Sequence, residues 1–401
     1  MSCLRLARPP ARAAAALGAL AAALSAAAAP PVARIALPPG FRAAVYAWPV
    51  PGARSLALGP GGTVFVGSRG EGRVYALHDA DGDGRAERVE VLLAGLDTPN
   101  GVAVGGDDLY VAENHRLVRY AGLAARPGTP PRPEVLARLP RYRHHGWRYL
   151  RIGPQGRPWL SLGAPCNVCE APGTARIVRV EPDGRLTPWA LGVRNSVGFD
   201  WHPRTGVLWF TDNGRDWLGD DLPPDELNRA PRPGLHFGFP YCHGRGLADP
   251  EFGRGADCRR YTPPALELGP HVAALGMRFY TGDTFPPPWR GRLFIAEHGS
   301  WNRSERIGYR ITTVRVEGGR ADDYRPFAVG WLTAGRVWGR PVDLLVMPDG
   351  ALLVSDDHAG AVYRIAYEGA DAAPQARSNR AMDSTCAVCG NMSMTPAAAR
   401  R

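Results

Sequence analysis

Residues 54–77 read RSLALGPGGTVFVGSRGEGRVYAL. An apolar run meets a turn at Gly61, a second run follows, and a polar turn rich in glycine leads to a third. Short β-rich runs separated by turn residues are the signature of strands joined by hairpins. The same plan recurs in PNGVAVGGDDLYVAENHRLVRYAG (99–122), RYLRIGPQGRPWLSLG (148–163) and SVGFDWHPRTGVLWFTDNG (196–214). It recurs again in LGMRFYTGDTFPPPWRGRLFIAEHG (275–299) and PVDLLVMPDGALLVSDDHAGAVYRIAY (341–367). The turn glycines of the six copies fall at Gly61, Gly105, Gly156, Gly206, Gly291 and Gly350. Most lie about 45 to 60 residues apart, the period of a propeller blade. The expectation is an all-β six-bladed propeller over residues 36–368, with a large β-sandwich as the alternative. The wider gap from Gly206 to Gly291 predicts an insertion holding FGFPYCHGRGLADPEFGRGADC.

The chain opens with Arg5, Arg8 and Arg12 ahead of an Ala/Leu run and small residues near Ala29, which reads as a secretory signal over residues 1–29. Its removal takes the net charge from +10 to +7, since it carries three arginines and no acid. The positive charge is arginine spread along the chain without blocks, which excludes a nucleic-acid footprint and suits a pocket for a small polyanion. No later stretch is apolar enough to span a bilayer. These features place the protein in the periplasm or outside the cell. Residues 369–401, rich in Ala, Ser, Asn and Thr, read as a disordered tail. Its TCAVC run puts Gly390 where a haem-binding CxxCH motif needs histidine, so haem is not expected. Of seven cysteines, Cys3 leaves with the leader. Cys242 with Cys258 is the best disulfide pair, and Cys166 with Cys169 the second.

Several segments collect polar residues just before the first strand of a copy or just after the second. HDADGDGRAERVE places Asp79, Asp81, Asp83, Gly84 and Glu90 in the spacing of a calcium-binding loop. Strands flank it where an EF-hand needs helices, so a polar hairpin turn is the rival reading. RYRHHGWRYL carries His144 and His145, and a neutral imidazole is a general base suited to pH 7. GVRNSVGF carries Arg194 and Asn195, GFPYCHG a proline turn with exposed carbonyls, and IAEHGSWNRSERIGYR His298, Arg303 and Arg306.

Read together, HHGWRYLRIGPQG, LGAPCNVCE, GVRNSVGFDWHP, WFTDNGRDWLGDD, GPHVAALGMRFYTG, IAEHGSWNRS, GRPVDLLVMPDG and LLVSDDHAG resemble the signature blocks of the soluble pyrroloquinoline quinone (PQQ)-dependent sugar dehydrogenases, in particular the sorbosone dehydrogenase branch. The resemblance spans about residues 36–368 and implies a six-bladed propeller. It implies that the general base, a histidine ahead of Gly153-Pro154, is His145, with His144 in the adjoining polar position. It implies that Arg194 and Asn195 stand near the reactive quinone carbonyl, and that Gly238, Phe239 and Pro240 give backbone carbonyls to a cofactor-bound calcium. Arg340, with His298 and Arg303, would hold the PQQ carboxylates; the glucose branch has a lysine in blade five, and this segment has none.

The implied cofactors are PQQ and Ca²⁺, with Asp79, Asp81 and Asp83 a second calcium position. The implied partners are a small sugar or sugar aldehyde and an unidentified electron acceptor. The reaction would turn an aldose into a lactone or an aldehyde into an acid. Two other classes share the fold. One is a calcium-dependent lactonase, which needs acidic metal ligands in the channel such as Asp343, Asp356 and Asp357. The other is a non-catalytic binding module.

Overall fold

The computed structural model describes residues 29–369. The leader read over 1–29 and the tail read over 369–401, with Cys386 and Cys389, lie outside the described residues except at their inner edges. Among the described residues there is no α-helix, only single 3-10 turns, and no helix long and apolar enough to cross a membrane. The strands form six four-stranded antiparallel units, the third extended by a short parallel strand, Leu235–His236, together with two small ladders, Cys242–His243 with Leu247–Ala248 and Leu332–Thr333 with Arg336–Val337. The chain is a six-bladed β-propeller.

Blade one runs Leu56–Leu58, Val64–Val66, Val74–His78 and Arg88–Leu93, and blade two spans Gly101–Gly105 to Glu134–Arg138. Blade three begins at Leu150–Ile152, blade four at Phe199–Trp201, blade five at Ala274–Phe279 and blade six at Pro341–Val346. Blade six takes its outer strand from the other end of the chain: Phe41–Ala47 pairs antiparallel with Ala361–Tyr367. That pairing closes the ring and leaves no open sheet edge between first and last blades. The turn glycine of blade two is Gly106, at φ +60°, rather than Gly105, which belongs to the strand. The insertion expected between Gly206 and Gly291 is present, between Pro224–Ala230 and Leu266–Pro270 of blade four.

Each blade is a twisted sheet with apolar residues on both faces, so its inner strands read as near-continuous hydrophobic runs. The core is accordingly divided among the blade junctions. Phe65, Val74 and Leu109 fill the junction of blades one and two, and Trp159, Phe199 and Phe210 that of three and four. Phe41, Phe285, Phe294, Phe327 and Trp331 fill the junction of five and six. The first strands converge so closely that a Cβ on Gly198 would stand 2.1 Å from the Leu275 carbonyl oxygen, and one on Gly276 2.3 Å from Asp343. Only glycine permits that approach.

Polar groups cross the channel. Tyr149 precedes the first strand of blade three, and its hydroxyl contacts Asp343 of blade six at 3.2 Å and Arg278 of blade five at 2.7 Å. Asp343 Oδ2 also accepts the Leu56 N–H of blade one at 2.9 Å and lies 3.7 Å from Arg278. All three side chains are buried. Burial opposes the Arg278 charge, but Tyr149 and Asp343 outweigh it and hold the guanidinium more firmly protonated than usual.

The disulfides Cys166–Cys169 and Cys242–Cys258 are both formed, the second closing the insertion. Two stability outcomes follow. Removing Cys242–Cys258 by serine substitution should cost about 3 kcal/mol in the chain-entropy account, read as a lower urea midpoint. Arg278→Met should cost about 3–5 kcal/mol, because it leaves Asp343 buried and unpaired. Adding Asp343→Leu to it should recover part of that loss; a single variant as stable as the parent contradicts the account.

Candidate active site

The loops that enter the first strands and leave the second strands gather at one end of the channel. They enclose a cavity of about 310 Å³. His144, His145, Arg194, Asn195, His298 and Arg340 all line it, as the sequence leads one to expect. Arg54, Arg69, Trp147, Asn213, Asp216, Asp225, His271, Trp301 and Asn302 line it as well, and sequence reasoning missed them. Arg54 had a usable signal: it enters the first strand of blade one as Arg148 and Arg340 enter those of blades three and six.

His145 is 6% exposed and sits at φ +52°, a left-handed conformation that costs a non-glycine residue strain. Its surroundings impose that geometry. The following residue must be glycine, because a Cβ on Gly146 would lie 2.0 Å from the Tyr142 carbonyl oxygen. Tyr142 is in turn fixed by its hydroxyl on the Gly163 carbonyl at 2.5 Å, by buried Arg148 at 2.8 Å, and by Asn114. The His145 Nδ1 lies 2.8 Å from the Ala164 carbonyl oxygen. A carbonyl only accepts, so Nδ1 carries the proton and Nε2 keeps its lone pair. Burial, then the charge of Arg194, then His144 hold the imidazole pKa well below its ordinary value, so it is neutral at pH 7. His144 is exposed, with its ring 4.0 Å from that of His145. Its pKa is also lowered, by partial burial and by Arg194.

Arg194 is buried and clamped. Its Nε donates to the Asn167 carbonyl at 2.8 Å, Nη1 to the Asn213 carbonyl at 3.1 Å, and Nη2 to Asn167 Oδ1 at 2.8 Å and Asp216 at 3.1 Å. Asn167 sits inside the Cys166–Cys169 loop and also binds the Asp216 backbone through both its amide atoms. Nothing in the sequence pattern singles Asn167 out; only the fold brings its loop onto Arg194. The Asn195 side chain makes no hydrogen bond among the described residues, while its N–H donates to Asp212 at 2.6 Å.

On the opposite wall, Arg54 pairs with Asp357 at 2.9 Å, and Asp357 accepts from His298 Nε2 at 2.8 Å. Burial pushes the Asp357 carboxyl up, but His298 and Arg54 outweigh it and keep the group ionised. Burial lowers the His298 pKa to about 4. The Arg340 guanidinium donates only to neutral carbonyls, His298 at 3.0 Å and Gly299 at 2.7 Å. Arg69 lies over the Trp147 ring at 4.8 Å. Arg69 and Arg340 have no carboxylate partner among the described residues, so the cavity offers two guanidinium groups whose charge is not neutralised by an ion pair. Asp225, pushed by burial to about 7, spends its oxygens on the Gly214 and Ala274 N–H groups.

Two expected groups are not brought to this cavity. Arg303 turns away and donates to the Asp220 carbonyl and the Glu305 carbonyl, bracing blade five against blade four. The Gly238–Phe239–Pro240 segment does not line the cavity; Phe239 borders a separate void of about 10 Å³, the size of one water, which shares Arg194, Asn213 and Gly214 with the cavity wall. The Gly238 carbonyl already accepts the Tyr241 N–H at 2.9 Å and the Cys242 N–H at 3.0 Å, so it does not point at a ligand in the cavity. The Asp79, Asp81 and Asp83 carboxylates do converge, within 4.8 Å, in the hairpin between Val74–His78 and Arg88–Leu93. Their fourth member is Glu87; Glu90 instead contacts His78 at 3.1 Å and Arg88 at 2.5 Å.

A family model described as glucose/sorbosone dehydrogenase matches residues 178–364. An uncharacterized protein of Borreliella burgdorferi is 32% identical over 335 residues, covering 79% of this chain and 86% of that one. The calcium structure of the Trichoderma reesei carbohydrate-active enzyme of family AA12 superposes with a TM-score of 0.72 at 20% identity, covering 83% of this chain and 97% of that one. The holo form of the pyranose dehydrogenase PQQ domain from Coprinopsis cinerea superposes with a TM-score of 0.68 at 20% identity over the same shares. At that identity the two structures speak for the fold, and the family model with the full-length relative speaks for descent: the chain belongs to the glucose/sorbosone dehydrogenase family.

Proposed function

We propose that the protein is a PQQ-dependent dehydrogenase that oxidises an aldose or a sorbosone-like sugar aldehyde to a lactone or acid. The observation that carries this reading is His145: a buried neutral imidazole, its tautomer set by Ala164, with Nε2 free at the wall of a cationic cavity. Family membership and the pyranose dehydrogenase likeness support it. The residues present fit a planar tricarboxylate, because Arg69 and Arg340 lack carboxylate partners and guanidinium forks pair with carboxylates. When bound there, PQQ supplies the two-electron acceptor.

The chain's own residues then do three things. His145 Nε2 takes the proton of the anomeric hydroxyl of an aldose, or of a hydroxyl of the hydrate that an aldehyde forms with water. Arg194, immobilised by Asn167 and Asp216, offers a preorganised positive charge where negative charge develops. Arg340 and Arg69 anchor the cofactor carboxylates, and His298 is held in place by Asp357. Gly238, Phe239 and Pro240 do not line this cavity and the Gly238 carbonyl is taken up by its own turn, so no step is assigned to a calcium held by them. Calcium fits better in the Asp79, Asp81, Asp83 and Glu87 hairpin, where it would be structural. The lactonase reading is weakened because Asp343, Asp356 and Asp357 already accept bonds from protein donors. We also read the protein as exported; two disulfides suit an oxidising compartment.

The deciding experiment adds PQQ and calcium to purified protein and follows reduction of an artificial dye with aldoses and sorbosone. Turnover that requires PQQ supports the reading; lactone hydrolysis without PQQ overturns it. His145→Gln should lose about 10² to 10⁴ in kcat while PQQ still binds in an absorbance titration. His144→Gln should lose less, and the reverse order would exchange the two roles. The base must be neutral to act, and its pKa is depressed, so kcat/KM should hold as pH falls through 6.5 and drop only at lower pH. An acidic limb at or above 6.5 contradicts His145 as the base. Asn167→Ala should lower kcat more than it raises KM, because it loosens Arg194 without touching the sugar.

A further inference from the structure

Among the described residues the exposed large hydrophobic side chains include two tryptophans, Trp217 at 67% and Trp301 at 62% exposure. They are not scattered. Their rings meet edge to face, with centroids 5.2 Å apart and planes at 87°. Trp301 forms part of the cavity wall, and Trp217 stands against it from the loop between the second and third strands of blade four.

The pair is held rigidly. Trp217 sits at φ +72°, a conformation that a bulky side chain adopts only when its surroundings impose it. Neighbours on both sides of each tryptophan are braced. Asp216 Oδ1 accepts from Asn302 Nδ2 at 2.8 Å, Asp220 Oδ1 accepts the Ser304 N–H at 3.0 Å, and Arg303 donates to the Asp220 carbonyl. Two loops from different blades are thus tied together, and the bracing leaves two indole faces in water at the mouth of a ligand cavity. Two residues are far too little surface for a stable protein partner. With the planes at 87°, one exposed indole face matches a single flat ring with an apolar face and polar edges, which is how a pyranose presents its C–H groups, and the other indole borders that ring. Indole is the side chain best suited to such a contact, with a polar N–H beside its apolar body.

His145 lies buried within the cavity wall while the tryptophans stand exposed at its mouth. A ring held between them is therefore not the ring being oxidised. We propose that Trp217 and Trp301 form an outer subsite for the second sugar ring of an oligosaccharide whose terminal unit enters the cavity. The inference rests on the dehydrogenase reading for the identity of the terminal unit, and on geometry alone for the subsite.

The test compares glucose with cellotriose and maltotriose as substrates of the PQQ-loaded protein. At least one trisaccharide should show the higher kcat/KM. Its advantage over glucose should fall roughly 5- to 20-fold in Trp217→Ala and in Trp301→Ala, and recover in part in the phenylalanine variants. A ratio unmoved in both alanine variants overturns the proposal. So does a parallel loss on every sugar with a raised KM for the dye, which would make the pair an acceptor contact. Calorimetry with cellotriitol and maltotriitol, which have no oxidisable end, reads the subsite apart from turnover. At least one alditol should bind the parent protein and bind Trp217→Ala more weakly; absence of binding by both overturns the subsite. Alditol binding that depends on Trp217, in a protein that oxidises no aldose, would sustain the subsite and overturn the dehydrogenase reading.

Discussion

Six sheets arranged in a ring leave a channel on the axis, and something must fix the spacing across it. Here the contact is polar: the Tyr149 hydroxyl reaches Asp343 and Arg278, and Asp343 reaches the backbone of blade one. Four blades meet through those groups in a place where water is scarce and each would be costly alone. The glycines at Gly198 and Gly276 let the first strands come near enough for the network to close. With the inner strands set in this way, the loops above them hold fixed positions, and the cavity inherits its shape.

The site uses that rigidity to hold side chains where they would not rest by themselves. His145 is kept in a left-handed conformation and stripped of water, which settles both its tautomer and its charge state. Arg194 is gripped by Asn167 from one blade and Asp216 from the next. Preorganisation of this kind holds an uncharged imidazole and a fixed positive charge at the wall of the cavity, with little left to reorganise. Strain at His145 and crowding at Gly146 are the local cost of that arrangement.

Much of this was legible in the sequence, and for physical reasons. A propeller repeats one hairpin plan, so strand runs and turn glycines announced six blades, and the broad gap announced the insertion. The plan collects polar segments at one end of the channel, and the family resemblance singled out His145 and Arg194, each five residues before a first strand, and Arg340, one residue before. What stayed hidden depends on contacts between distant segments. The closing strand Phe41–Ala47 looks like any other apolar stretch until its partner is known. Asn167 matters only because a three-residue-spaced disulfide loop lands on Arg194. Arg303 and Gly238 sit in promising motifs, but Arg303 donates to the Asp220 and Glu305 carbonyls, and the Gly238 carbonyl accepts from the turn that follows it.

The ring closure has a kinetic side. Arg42 and Glu368 are hydrogen-bonded although 326 positions separate them, and Phe41 pairs with Tyr367. Blades one to five can each collect their own strands as the chain emerges, but blade six has no outer strand until its third strand meets Phe41–Ala47, made ahead of all the blades' other strands. Contacts of such long range slow folding. During that interval an unpaired strand edge stays open at each end of the arc, available to another copy of the chain. The step that completes the molecule is therefore also the step at which crowding and chaperones bear on its yield.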